Sequence, residues 1–150
     1  MEITHGSVSR AVLSFAITRS SLTVCVADAF PNATNGIGRA TFGRDRWFSY
    51  DSDGDEAHSL TTAPIVIPRE PCNLTLNVQT TVRGYVKVEV LEPGSGAPLP
   101  GLAMSDSVPT MGNYLQRAQR WASGAALPAG KTVRLRFESV QAKLFAFGYK

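Results

Sequence analysis

The sequence predicts an all-β domain built as a two-sheet antiparallel sandwich of the jelly-roll or concanavalin type. Three segments alternate apolar and polar residues with a period of two, so each strand should bury one face and expose the other. Strands of a parallel sheet, which are covered on both faces, are instead continuously apolar. Only 18% of the 150 residues are charged, and turn-forming residues recur along the chain. These observations together favour many strands around one apolar core.

The N-terminal segment, residues 1–36, is interpreted as a separate region and as the possible remnant of a preceding domain. Ala11–Thr18 fits a strand or a helix, because so short an apolar run is compatible with both. Leu22–Ala27 is rich in β-branched residues and predicts a strand. The turn-forming residues 31–36 predict a loop, so we expect the β-sandwich module to span 37–150.

Two further strands are predicted before the first alternating segment. Ile37–Phe42 and Arg46–Tyr50 flank Gly43-Arg44-Asp45, which indicates a hairpin. Leu60–Ile67 has strand composition but contains Pro64. Because proline has no N–H to donate, this strand should lie at a sheet edge or contain a bulge.

The three alternating segments, Leu74–Val78, Val86–Val90 and Val133–Phe137, supply most of the predicted core. Lys143–Tyr149 is apolar on both faces and should lie centrally, while Tyr114–Trp121 is a candidate for one more strand. Glu89 and Glu138 alternate with apolar residues and should point to solvent. The predicted core residues are Leu74, Leu76, Val78, Val86, Val88, Val90, Val133, Leu135, Phe137 and Phe147.

An ordered series of segments gives a family resemblance over residues 37–149. The segments are Gly38–Phe42, Leu60–Pro64, Leu74–Val78, Gly84–Leu91 and Leu127–Ala146. In order and spacing they resemble the C-terminal β-sandwich accessory module of five-bladed-propeller glycoside hydrolases, both sucrase/levanase-like and arabinanase-like. The chain departs from that pattern at Arg46, where the family usually has glycine, and at Ala63, where it often has lysine.

The resemblance implies a non-catalytic accessory domain that binds carbohydrate or packs against a propeller domain. The catalytic acids of the resembled enzymes belong to the propeller, so the resemblance implies no catalytic residue and no cofactor in this chain. Two alternatives remain open at this point. The chain is a C-terminal fragment of a glycoside hydrolase whose catalytic propeller is missing, or it is an adhesion or scaffold domain.

Aromatic and basic side chains are the candidate ligand-binding residues. Tyr85 belongs to the outward set of an alternating strand, and aromatic faces contribute much of the binding energy at interfaces. The two tryptophans fit either ligand contact or packing, since tryptophan is usually largely buried. The candidates are Tyr85, Arg134, Arg136, Trp47, Tyr114 and Trp121.

The acidic turn at residues 51–56 resembles part of a calcium-binding loop. Asp51, Asp53 and Asp55 are spaced so that their oxygens could converge on a hard cation. The glutamate that closes an EF-hand loop is missing, however, and a solvated turn explains the same residues. We therefore predict no metal site.

The remaining features exclude some functions and leave others open. The net charge is +3, and the arginines are spread along the chain rather than gathered on one face, which disfavours nucleic-acid binding. Ala11–Ala29 is interrupted by Arg19, so no membrane span is predicted. Cys25 and Cys72 could form a disulfide or remain free thiols. The sequence leaves the compartment open.

Overall fold

The computed structural model describes residues 15–18, 21–26, 36–41 and 43–150. The chain divides into two compact units, Met1–Asp45 and Arg46–Lys150. In the first unit, β1 (Phe15–Thr18), β2 (Ser21–Val26) and β3 (Gly36–Thr41) form an antiparallel sheet in chain order. Ala11–Thr18, which by its sequence fitted a strand or a helix, is thus a strand over residues 15–18. Residues 11–14 lie outside the described part.

The predicted hairpin around Gly43-Arg44-Asp45 is wrong. β3 pairs with β2, whereas β4 (Tyr50–Ser52) pairs antiparallel with β9 (Thr132–Tyr149). The residues between them do form a turn, in which Asp45 adopts a φ of 56°. A turn signal is local and does not specify which strand the next segment will pair with.

The second unit is one six-stranded antiparallel sheet. Besides β4 and β9 it contains β5 (His58–Thr61), β6 (Ile65–Val66), β7 (Leu74–Leu91) and β8 (Asn113–Ala118). The strand order is β4-β9-β7-β8, and β5 and β6 also pair with β9. The three short strands therefore follow one another along the edge of β9 that β7 leaves free. The described elements include no helix long and apolar enough to cross a membrane.

Pro64 divides the predicted strand 60–67 into β5 and β6. Both pieces pair only with β9, so the edge position expected from the proline is confirmed. Leu60 lies opposite Phe137, and Ile65 lies opposite Val133.

The core lies on the inner face of the two long strands. Each has 18 residues and joins two segments that the sequence pattern had separated. Lys143–Tyr149 was expected to lie centrally, but only Lys143 and Leu144 lie between β4 and β7, and residues 145–149 pair with β7 alone. Of the predicted core residues all but Phe147 are at most 1% exposed, and Phe147 is 37% exposed.

The inner face of β9 turns back on itself. The rings of Phe137 and Phe147 are 5.2 Å apart, although ten residues of extended strand span about 33 Å. The register with β7 is interrupted at the same level, where Thr80 pairs with Ala142 and Tyr85 with Val140. A bulge of this kind bends a strand. It brings the two halves of the long strands around a single apolar cluster.

Candidate functional site

The outward residues of β7 and β9 form one continuous face. The register places Lys87 opposite Glu138 and Glu89 opposite Arg136, with Tyr85 opposite Val140. The sequence alone could not show that these two strands are neighbours. Their pairing creates a mixed aromatic and charged surface, which we call the Tyr85 face and define by Tyr85, Lys87, Glu89, Arg136 and Glu138.

Tyr85 is held in place from two sides. Its hydroxyl donates a hydrogen bond of 3.0 Å to Oε1 of Glu138, and the Nζ of Lys87 lies 5.5 Å from the ring centre. Burial, followed by the hydrogen bond to the Glu138 carboxylate, raises the pKa of the Tyr85 hydroxyl above its ordinary value. The half-buried ring therefore remains a neutral phenol in a fixed orientation at physiological pH.

Glu89 is buried, which corrects the expectation that it points to solvent. It is 2% exposed, although it does lie on the outward side of β7. Its carboxylate accepts hydrogen bonds from the guanidinium of Arg136 and from the backbone N–H of Met104 at 3.2 Å. The loop after β7 pairs with that strand and covers the carboxylate, since the N–H of Val90 bonds to the carbonyl of Leu102.

Arg136 stays accessible above this buried carboxylate. Its side chain is 43% exposed, against 3% for that of Glu89. Arg134, two residues earlier on the same strand, donates through Nε to the carbonyl of Thr62 at 3.0 Å. Arg134 thus links β9 to the segment after β5, and Arg136 is the guanidinium available on the Tyr85 face.

The other aromatic candidates do not join Tyr85. Trp121 is 7% exposed and donates from Nε1 to the carbonyl of Val88 at 2.9 Å, so it packs in the framework. Tyr114 lies on β8, which pairs with the other half of β7, and the guanidinium of Arg117 lies 5.0 Å from its ring centre. Trp47 is half-buried in the segment before β4.

The carboxylates of the acidic turn are engaged separately. Asp51 forms an ion pair with Lys143, whose ammonium also donates a hydrogen bond to the carboxylate. This hydrogen bond is the main cause of the lowered pKa of Asp51. Asp55 accepts a hydrogen bond of 2.5 Å from the amide of Gln141. Asp53 lines a pocket beside them. In the described residues no three His, Cys, Asp or Glu side chains are grouped as a metal site.

Cys72 is a free, half-buried thiol. Cys25 lies on β2, and its side chain is outside the described part of the structure. The sequence left open whether Cys72 forms a disulfide or remains a free thiol, and in the structure it is a free thiol.

The sequence analysis did not predict the cavities of the described structure, two of which bear on function. An apolar cleft of about 390 Å³ opens where Phe147 is left uncovered, between β4, β5 and the end of β9. Phe48 stands beside it and is 88% exposed. A second pocket of about 330 Å³, lined mainly by polar residues, lies at the interruption of the β7–β9 register. Neither has a local signal, because each is assembled from strands that are distant in sequence.

Comparisons with known proteins gave no match. No family model fits the chain, and no curated protein or solved structure matches it at a significant level.

Proposed function

We propose that the second unit is a non-catalytic β-sandwich accessory domain that binds carbohydrate on the Tyr85 face. The sandwich is the arrangement that best accounts for β9 turning back, since Phe137 and Phe147 are in contact although they lie far apart along one strand. A sheet folded over in this way has an inner apolar side and an outer side available for ligands.

The observation that carries the function is the fixed array of groups around Tyr85. Its ring is an amphipathic surface on which the apolar face of a sugar can pack. Lys87, Glu138 and Arg136 stand next to it on paired strands and offer charged donors and acceptors to sugar hydroxyls. Because these side chains already hold one another in position, less conformational entropy is lost when a ligand binds.

Binding fits this face better than hydrolysis. Glycoside hydrolysis uses two carboxyl groups on either side of the scissile bond, one acting as an acid and the other as a base or nucleophile. On the Tyr85 face Glu89 is held under the loop by Arg136 and Met104, and Glu138 accepts the hydroxyl of Tyr85. Both carboxylates therefore already serve as hydrogen-bond acceptors within the protein.

A glycan array with the full chain, followed by titration of the best glycan, tests the proposal. Tyr85→Ala and Arg136→Ala should each weaken binding about tenfold or more, the loss expected for an aromatic or charged contact. Tyr114→Ala is the matched control, because Tyr114 is also a tyrosine with a cationic side chain near its ring but lies on β8. Unchanged affinity in both Tyr85→Ala and Arg136→Ala would refute a site on this face.

A second candidate function is packing against a propeller domain. The apolar cleft favours it, since Phe48 and Phe147 leave aromatic surface exposed beside Tyr50 and Leu60. Exposed apolar surface of this kind marks many protein interaction sites. A propeller encoded upstream of Met1 would identify the partner, and Phe48→Ser should then weaken its binding. An unaffected complex would argue against the cleft.

A further inference from the structure

The pocket of about 330 Å³ lies where the pairing of the two long strands is interrupted. Thr81–Gly84 loop out of β7 opposite the single residue Gln141, which has a φ of 45°. A non-glycine residue in the left-handed region is a strained feature of the kind that clusters at functional sites. Gly84 is required here as well, because a Cβ at this position would overlap the backbone carbonyl oxygen of Gln141.

The register aligns a row of polar side chains beside the bulge. Asp51 lies opposite Lys143, Lys143 opposite Gln79, and Gln79 opposite Asn113, so the row crosses all four strands β4, β9, β7 and β8. Lys143 and Gln79 also line the pocket, together with Asp53 from the acidic turn. Three sequence-distant segments thus contribute hydrogen-bonding groups to one cavity.

Much of the pocket wall is fixed by internal hydrogen bonds. The amide of Gln141 donates to Asp55, and its Oε1 accepts the hydroxyl of Thr81 at 2.6 Å. The hydroxyl oxygen of Thr80 accepts the N–H of Gly112 at 2.9 Å. The side chains of Gln141, Thr80 and Thr81 are therefore oriented before any ligand enters.

The charges around the cavity disfavour an ion as the ligand. Asp51 and Asp55 do not line the pocket, and they are already engaged by Lys143 and Gln141. The charged residues of the lining are Lys143 and Asp53, one of each sign, so the lining has no net charge to favour an ion. The carboxamide of Gln79 both donates and accepts hydrogen bonds. Hydroxyl groups have the same dual capacity and carry no charge.

We propose that this pocket binds a small neutral molecule with adjacent hydroxyl groups, a polyol or a single sugar unit. Its volume of about 330 Å³ is at the lower end of the range for ligand pockets, which suits one ring rather than an oligosaccharide. Asp53 accepts, Lys143 donates, and Gln79 does both. The proposal concerns a second site and stands independently of the Tyr85 face.

The test is a titration of the isotopically labelled full chain, followed by NMR of its backbone amides. The probes are myo-inositol, glucose and fructose, with calcium chloride in a parallel series. At least one neutral probe should shift the amides of Gln79, Gln141 and Lys143. Gln79→Ala removes hydrogen bonds to the ligand, and Asp53→Asn replaces a charged acceptor by a weaker neutral one, so each should weaken that binding about tenfold. Both residues are exposed, so both variants should keep the wild-type circular dichroism spectrum.

Tyr85→Ala separates this proposal from the carbohydrate-binding face. It should leave the shifts at Gln79 and Lys143 unchanged, whatever it does to glycan binding elsewhere. The proposal is overturned if no neutral probe shifts these amides, or if calcium alone does so. It is also overturned if Gln79→Ala and Asp53→Asn both bind as the wild type does, or if Tyr85→Ala abolishes the effect.

Discussion

Two equally buried serines should respond in opposite ways to the same substitution. Ser52 is 1% exposed and Ser139 is 2% exposed. The hydroxyl of Ser52 donates to the carbonyl of Ala142 at 3.2 Å and accepts the N–H of the same residue at 3.1 Å. The hydroxyl of Ser139 has no hydrogen-bond partner in the described structure. Replacement by alanine therefore removes two hydrogen bonds at one position and none at the other.

The magnitudes follow from these contacts. A buried hydrogen bond contributes about 1 kcal/mol, so Ser52→Ala should lower the free energy of unfolding by about 2 kcal/mol. At position 139 the folded state keeps a hydroxyl out of water without a partner, which costs about 1–3 kcal/mol. Ser139→Ala should remove part of that cost and raise the free energy of unfolding by about 1 kcal/mol. The two variants should thus differ by about 3 kcal/mol.

Urea unfolding followed by tryptophan fluorescence measures this difference. The chain has two tryptophans, Trp47 and Trp121, and both belong to the second unit, so the signal reports on the unit that contains the two serines. Equal m-values in the two variants would show that the unfolding transition is the same. The reasoning is refuted if Ser139→Ala is destabilised as much as Ser52→Ala.

Three further substitutions test the bulge, the Tyr85 face and the framework. Gly84→Ala should lower the free energy of unfolding by about 3 kcal/mol, because the new Cβ overlaps backbone of the facing strand; a wild-type urea midpoint would contradict this. The raised pKa of Tyr85 means that its contribution to stability is constant below pH about 10 and is lost as the pH rises through the folded-state pKa. Glu138→Gln should lower that pKa in a tyrosinate absorbance titration, and an unchanged titration would show that burial alone raises it. Trp121→Phe leaves the carbonyl of Val88 without its hydrogen-bond donor. It should lower the free energy of unfolding, measured in urea, by about 1–3 kcal/mol. An unchanged free energy of unfolding would mean that this hydrogen bond contributes nothing to stability.

The sequence predicted the segments that make up the long strands, and their buried face, because alternation is a local property. Leu76, Val88 and Leu135 are fully buried, as the period of two requires. The partner of each strand was much less predictable. The turn before β4 carried a hairpin signal, yet β4 pairs with a strand about 90 residues later, a choice set by long-range burial that no local pattern encodes.

The same limit explains the outcomes at individual residues. Phe147 does face inward beside Leu76, but among the described residues it stays 37% exposed. Glu89 is outward on its strand, but the loop that follows β7 closes over it, which the alternation of the strand does not indicate. For the candidate site, alternation identified the outward positions of Tyr85 and Arg136. Only the register showed that they share a face, and the pocket around Gln79 depends on three registers at once.

The position of β9 in the chain determines when this unit can fold during synthesis. β4, β5, β6 and β7 all pair with β9, and all of them leave the ribosome before it does. Until Thr132–Tyr149 is available, their strand edges lack the partner they have in the native sheet. Folding of the second unit therefore cannot be completed before β9 has left the ribosome, and the waiting strands are the segments most exposed to aggregation or chaperone binding. The shortness of β4, β5 and β6, and the proline between the last two, limit how well those edges can template a wrong partner.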